Sequence, residues 1–506
     1  MSHPMKYLLS ALCSCLLTSA TEANNIQVAN VSISANPDTT AQIQFDLSWE
    51  NSWKGGTTGN RDAAWVFVKI RSATTGLWSH AYLLGSGDVA PPDAQVDPSF
   101  LTLLMPLPPA PIWYAGAFVH RVADGSGNVA YPNIELRWDN GNQGISLGDV
   151  AEVRVFAIEM VYVNSGAFAA GGIGTEGGFT LTTINTNLAD APPAGFGSLG
   201  GQAGGHPTGT SAPYTYWPNG FDAFYCMKYE VSQQGFVDML NTLTFEQQYL
   251  PGEPAGTSVF ANTSGWRNGM VVLQPGAAGV SPATYACDLN GNGIGGEADD
   301  GMDLPCVGLP FDHLAAYLDW AALRPMTELE FEKVCRGPMP ALANEYPWGS
   351  AMVTNAGYGL ANKATANEGI LAGYSTLQGN AAWSATTDTI SFPLRVGIFA
   401  ANPALNGRAA AGASYYGAME LAGNVAEYCV SLSDPVGASF TGVHGDGRLD
   451  PFGYSDESGW PFGFLSSAYV SRGGHGGSTV EDLRVAARNL AILTFEPMGG
   501  RGARTP

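Results

Sequence analysis

Asp288-Leu289-Asn290-Gly291-Asn292-Gly293-Ile294-Gly295-Gly296-Glu297-Ala298-Asp299 is the stretch whose residue types and spacing speak most directly of chemistry. Oxygen-bearing side chains stand at positions 1, 3 and 5, glycine at 6 and a carboxylate at 12, which is the order of an EF-hand loop. Alternate side chains then point inward, the glycine permits a sharp bend, and the Ile294 carbonyl supplies position 7. The implied ligands are Asp288, Asn290, Asn292, Ile294 and Asp299, and the implied ion is calcium. Asparagine at two of these positions, and an aspartate where glutamate is usual, favour weak affinity suited to extracellular calcium. The same residues also make an Asn/Gly/Asp turn with no ion. The helices that flank an EF-hand loop are missing. Cys287 and Cys306 bracket the segment instead, and a disulfide between them is expected to fasten it.

The amino-terminal residues point to export, where such a bridge is stable. Lys6 precedes an apolar run from Tyr7 to Leu17, followed by small residues up to Ala23, so residues 1–23 read as a secretory signal. The run is too short to span a membrane, and no later stretch reaches ~18 apolar residues. Leu12-Cys13-Ser14-Cys15 partly resembles a lipobox, but the apolar core before Cys15 is very short and a lipid anchor is not expected. Cys226, Cys287, Cys306, Cys335 and Cys429 follow the signal, an odd number that allows two bridges at most.

The 506 residues carry a net charge of −22, yet only 13% of them are charged. Phosphate binding wants a basic face, so a nucleic-acid partner is excluded. With 22 Phe, 20 Tyr and 12 Trp the chain has the aromatics for large cores, which excludes a disordered acidic tail.

The elements that must position these residues fall into two regions. Ile43, Phe45, Leu47 and Trp49 alternate with polar residues, as do Ile134, Leu136 and Trp138, and then Val153, Val155 and Ala157. Trp65-Val66-Phe67-Val68 is apolar on both faces and fits an inner strand. Strands without convincing helices predict an antiparallel β-sandwich over 24–154. Helix signals begin only after Cys226. Ser232 reads as an N-cap ahead of Phe236, Leu240 and Leu243, Asp312 to Leu323 forms a second helix, and Thr327-Glu328-Leu329-Glu330 is a capping box. His80 and His120 stand alone, and His444 and His475 sit among glycines, exposed or bridging backbone. The stretch from Ala170 to Gly220 reads as a long surface loop or an elaborated hairpin.

Several segments after residue 155 then line up, in order, with one family. They are Ala157-Ile158-Glu159-Met160-Val161-Tyr162-Val163, Phe224-Tyr225-Cys226-Met227-Lys228-Tyr229-Glu230-Val231-Ser232, Arg324-Pro325-Met326-Thr327-Glu328-Leu329-Glu330-Phe331-Glu332, Tyr346-Pro347-Trp348-Gly349, Met419-Glu420-Leu421-Ala422-Gly423-Asn424-Val425-Ala426-Glu427 and Ser471-Arg472-Gly473-Gly474. Together they resemble the formylglycine-generating enzyme, or sulfatase-modifying factor, family over 155–506. The resemblance implies a low-regularity α+β fold related to C-type lectins and steadied by calcium, with the loop at about 287–306 as an insertion.

The resemblance also implies an oxidase that converts a sulfatase cysteine to formylglycine with copper held by two cysteines. At the matching positions stand Val480 and Val485, the latter within Arg484-Val485-Ala486-Ala487-Arg488. Valine cannot bind Cu(I), which needs soft sulfur, so neither copper nor the family's catalysis is expected and no catalytic residue is assigned. Two family calcium sites carry over by resemblance. One comprises Glu420, Glu427 and the carbonyls of Gly423 and Val425. The other comprises Asn355, Glu368 and the carbonyls of Ala356 and Ile370. Tyr415, Tyr416, Trp460, Phe462 and Phe464 either line a ligand groove or pack their own loops. The expectation is an exported or cell-surface protein that binds an extracellular protein or glycan, or has a structural role. A self-assembling subunit is one alternative. A divergent oxidase using Cys335 or Cys429 with a histidine is the other.

Overall fold

The computed structural model describes residues 25–506 apart from 57–58, 102–111, 177, 180, 188–215, 249–265, 384–391, 433, 462–467 and 491–496. The expected signal over 1–23, with Cys13 and Cys15, lies outside the described residues, as do Phe462 and Phe464. The described chain is mostly β-sheet with few helices.

Eight strands come first: β1 (Gln27–Ala35), β2 (Ala41–Gly55), β3 (Asn60–Ser72), β4 (Trp78–His80), β5 (Ala94–Phe100), β6 (Tyr114–Arg121), β7 (Gly125–Trp138) and β8 (Val150–Val163). Period-two alternation governs β2, where Ala41, Ile43, Phe45, Leu47 and Trp49 are buried while their neighbours stay partly exposed. They share a core with Ile134, Leu136 and Trp138 of β7 and with Ala64, Val66, Val68 and Ile70 of β3.

The other face of β3 is buried too, as its unbroken apolar run predicts. Ala63, Trp65 and Phe67 belong to a second core that contains Leu314, Tyr317 and Trp320 from the later part of the chain. β3 therefore lies between two cores and pairs with β8, Trp65 opposite Ile158 and Phe67 opposite Phe156.

The domain boundary expected at 154/155 falls inside β8. That strand pairs with β3 along one edge and with Phe224–Met227 along the other, Val163 opposite Phe224. Phe224–Met227 in turn pairs with Gly502–Arg504, and that strand with Arg324–Pro325. Hydrogen bonding thus joins the amino-terminal strands and the later elements into one sheet. The reason is local to the sequence. Val155, Ala157, Ile158, Met160, Val161 and Val163 are all buried, so the later half of β8 is packed on both faces as well as paired on both edges.

Among the described residues, three helices of eight or more residues support the second region: α1 (Gln233–Leu240), α2 (Phe311–Trp320) and α3 (Glu328–Arg336). Ser232 caps α1 by accepting from the Gly235 N–H, as expected. The capping box of α3 is complete, with Thr327 Oγ1 accepting from Glu330 N and Glu330 Oε2 from Thr327 N. Glu159, Glu328 and Glu332 are buried in ion pairs with Lys228, Arg488 and Arg472, which makes them parts of the scaffold.

Candidate functional site

The hairpin Met270–Gln274 and Thr284–Cys287 delivers the chain into the Asn/Gly loop, with Met270 opposite Cys287. Asp288 is nearly buried and anchored through its N–H to the Gly269 carbonyl at 2.7 Å. Its carboxylate accepts from the N–H groups of Asn292 at 3.1 Å and Gly293 at 3.0 Å. Asn290 Oδ1 accepts from Asn292 N at 2.9 Å, and Asn292 Oδ1 from Ile294 N at 2.7 Å. Side-chain oxygens at alternate positions thus turn inward, and Gly293 takes the left-handed φ of 83° that the bend requires. Asn290 Nδ2 also donates to Asp299 Oδ1 at 3.1 Å, which brings the third and twelfth positions together.

The carboxylates of Glu297, Asp299 and Asp300 gather beside them, one oxygen of each within 4.8 Å of the others. Glu297 and Asp300 fall off the alternating pattern, so the sequence reading passes over them. Burial raises the Asp300 carboxyl above its ordinary value, and the charges of Asp288, Glu297 and Asp299 add to this. The donors are all oxygen, the chemistry of a hard cation. Ile294, whose carbonyl completes the expected set, exposes its side chain to solvent.

The disulfide expected at the neck is not formed. Cys287 and Cys306 are free, buried thiols, and Cys306 Sγ lies 3.9 Å from Met270 Sδ. Both sit in the apolar core, where a thiol serves as a small hydrophobe, and burial pushes both well above the ordinary thiol range. Gln233 helps to hold the neck, accepting from Gly269 N at 2.9 Å and donating to Arg267 O at 2.7 Å.

At each of the two positions carried over from the family, an arginine already stands on one carboxylate. Glu427 is paired with Arg501, Nε to Oε2 at 2.7 Å and Nη2 to Oε1 at 2.8 Å, with both side chains buried. Glu420 accepts from Gly397 N at 3.1 Å through both oxygens, and burial raises its carboxyl to about 7. Glu230, which the sequence reading passes over, accepts from Val425 N at 3.1 Å and from Asn424 Nδ2 at 2.9 Å. Gly423 N donates to Gly473 O at 2.8 Å. At the other position Glu368 pairs with Arg267 and accepts from Arg395 N at 3.0 Å, while Asn355 and Ala356 are exposed and Ile370 O accepts from Asn402. A guanidinium supplies the positive charge at both places.

Val485 is wholly buried in a core that also holds Cys226, Cys335 and Cys429, and its N–H donates to Glu345 O at 2.8 Å. Val480 packs against a separate cluster around Trp348. Burial raises the thiols of Cys335 and Cys429 well above their ordinary value, which opposes thiolate ligation. Among the described residues, the groups of three or more potential metal ligands are wholly acidic: the loop trio and Asp319, Asp446, Asp456 and Glu457. The second group has no local sequence signature, because its members lie on separate segments. His444 Nε2 accepts from Thr505 N and His475 Nδ1 from Gly477 N, so both bridge backbone. Tyr416 and Trp460 are buried packing residues.

A low-regularity, mostly β unit with few, short helices and the ordered motifs from Glu159 to Arg472 defines the class. Residues 156–503 match the profile of the sulfatase-modifying factor enzyme 1-like domain, and the chain belongs to that family, which includes formylglycine-generating enzyme. Among solved structures the chain is similar to PvdO from Pseudomonas aeruginosa, at 16% identity and a TM-score of 0.33 over 69% of this chain and 95% of that one. It is also similar to Treponema denticola variable protein 1, at 12% identity and a TM-score of 0.32 over 69% and 96%. A comparison with curated proteins gives no match.

Proposed function

We propose that this protein is an exported, calcium-stabilised binding or surface-structural protein that has kept the family fold without the family's oxidation chemistry. The observation that carries the reading is the pair Val480 and Val485, where the family places its copper cysteines. Neither side chain can ligate copper or enter thiol exchange. The thiols that lie in the same core as Val485 are held protonated by burial. Calcium belongs, on this reading, to the 288–300 loop, since an arginine already pairs with Glu427 at one inherited position and with Glu368 at the other. The strands over 24–154 act as a β-sandwich that presents the second region to an extracellular protein or glycan.

Metal analysis of the purified chain tests the reading, together with assay of a sulfatase-type cysteine peptide for aldehyde formation. Calcium without stoichiometric copper, and no aldehyde, is the expected result. Copper that is retained through dialysis and lost on replacing Cys335 or Cys429 would restore the oxidase alternative.

A further inference from the structure

We propose that Asp319, Asp446, Asp456 and Glu457 form a second site for a hard divalent cation of the calcium class, at the seam between the amino-terminal strands and α2. This site is separate from the 288–300 loop and does not depend on the reading given for it.

Asp319 lies in the last turn of α2, where the helix dipole disfavours a carboxylate. It nonetheless gathers two later segments. Its Oδ1 accepts from Asp446 N at 3.0 Å, and its Oδ2 from Ser455 Oγ at 2.6 Å and Asp456 N at 3.2 Å. One carboxylate oxygen from each of the four residues lies within 4.8 Å of the other three. Glu457 supplies the independent sign of a missing ligand. Its side chain is buried, the residue being 4% exposed, and its Oε1 has no hydrogen-bond partner among the described residues. A buried acceptor left unsatisfied is costly, and a cation among the other three carboxylates would satisfy it.

The local charge agrees. Arg448 binds Asp446, its Nε donating at 2.8 Å, and Lys69 of β3 reaches in to donate to Gly447 O at 2.5 Å. Four carboxyl groups thus outnumber the two basic side chains beside them, and a divalent ion would offset the excess. The donors are all oxygen, with no thiol or imidazole in the group, which selects calcium or magnesium over zinc or copper. Three of the four sit on loop segments, a geometry that suits the more adaptable coordination of calcium. Asp456 is exposed, so the group is open to solvent on that side. Tyr82, close after β4, donates its hydroxyl to Asp446 O at 3.0 Å. An ion here would therefore fix the segment on which the amino-terminal strands rest.

Terbium luminescence excited through tryptophan is a direct test, because Trp320 adjoins Asp319 in the chain and Trp460 lies one turn after Glu457, its main-chain N–H donating to Glu457 O at 3.1 Å. The full chain is stripped with chelator and used in an Asp299→Asn background, so that failure of the loop site leaves this measurement intact. Saturable terbium emission that calcium displaces is expected there, with affinity at least ~10-fold weaker after Glu457→Gln. Asp456→Asn, at an exposed residue, gives the same readout if Glu457→Gln does not fold. Absence of emission in the Asp299→Asn background would overturn the proposal, as would emission unchanged by these two substitutions.

Discussion

The indole Nε1 of Trp65 donates to the main-chain oxygen of Ala321 at 2.8 Å, across 256 residues of sequence. The Arg504 guanidinium lies over the same indole at 4.4 Å, and Phe67 meets Trp320 edge to face at 5.1 Å. β3 is thus the wall shared by two cores. Unfolding is expected to be a single cooperative transition, and Trp65→Ala should destabilise the whole protein by about 3–5 kcal/mol. Calorimetry that resolved two independent transitions would contradict this coupling.

Arg501 is the next point of leverage, because it faces Glu427, Glu230 and Glu420 inside the protein. Arg501→Met should cost about 3–5 kcal/mol by leaving buried carboxylates unpaired. Adding Glu427→Leu should recover part of that loss. Denaturant titration of the single and double variants decides it, and a single variant as stable as the parent would refute the pairing.

Asp238 on α1 carries a pH dependence. Burial raises its carboxyl from 3.8 to about 6, against the opposing effect of its hydrogen bond from Gln234. The folded state therefore holds this proton more tightly than the unfolded state. The contribution is fully present below about pH 4 and is lost as pH rises to about 6. Asp238→Asn should flatten stability across that window, by on the order of 1–3 kcal/mol. Equal slopes for parent and variant between these limits would remove Asp238 as the cause.

Chelation probes the 288–300 loop. Calcium at about 100 times its dissociation constant should stabilise the fold by about 2.7 kcal/mol, and chelator should lower the melting temperature accordingly. Asp299→Asn should reduce that response without altering the metal-free protein, since Asp299 is exposed. An identical melting curve with and without chelator would exclude calcium as a stabiliser.

Local rules were legible in the sequence because they act over a few residues. Ser232 caps α1, Thr327 and Glu330 form their box, and Ile43 to Trp49 alternates as written. The apolar run at Trp65–Val68 announced burial on both sides but could not name the partner, which is a helix about 250 residues away. The same holds for the carboxylates. Asp288, Asn290 and Asn292 lie close enough together for spacing to reveal them, whereas Asp319, Asp446 and Glu457 meet only through folding. The pairing of Glu427 with Arg501 likewise spans 74 residues, so the charge that neutralises the inherited position could not be seen from its own motif.

The continuous sheet from β1 to Gly502–Arg504 has a mechanical consequence. A pull between those two strands runs through hydrogen-bonded ladders at every step, with β8 as the central rung, and no slack tether stands between the amino-terminal strands and the family fold to yield first. Tension should therefore be borne by the two cores together, and rupture should come as one force peak rather than as successive unravelling of separate beads.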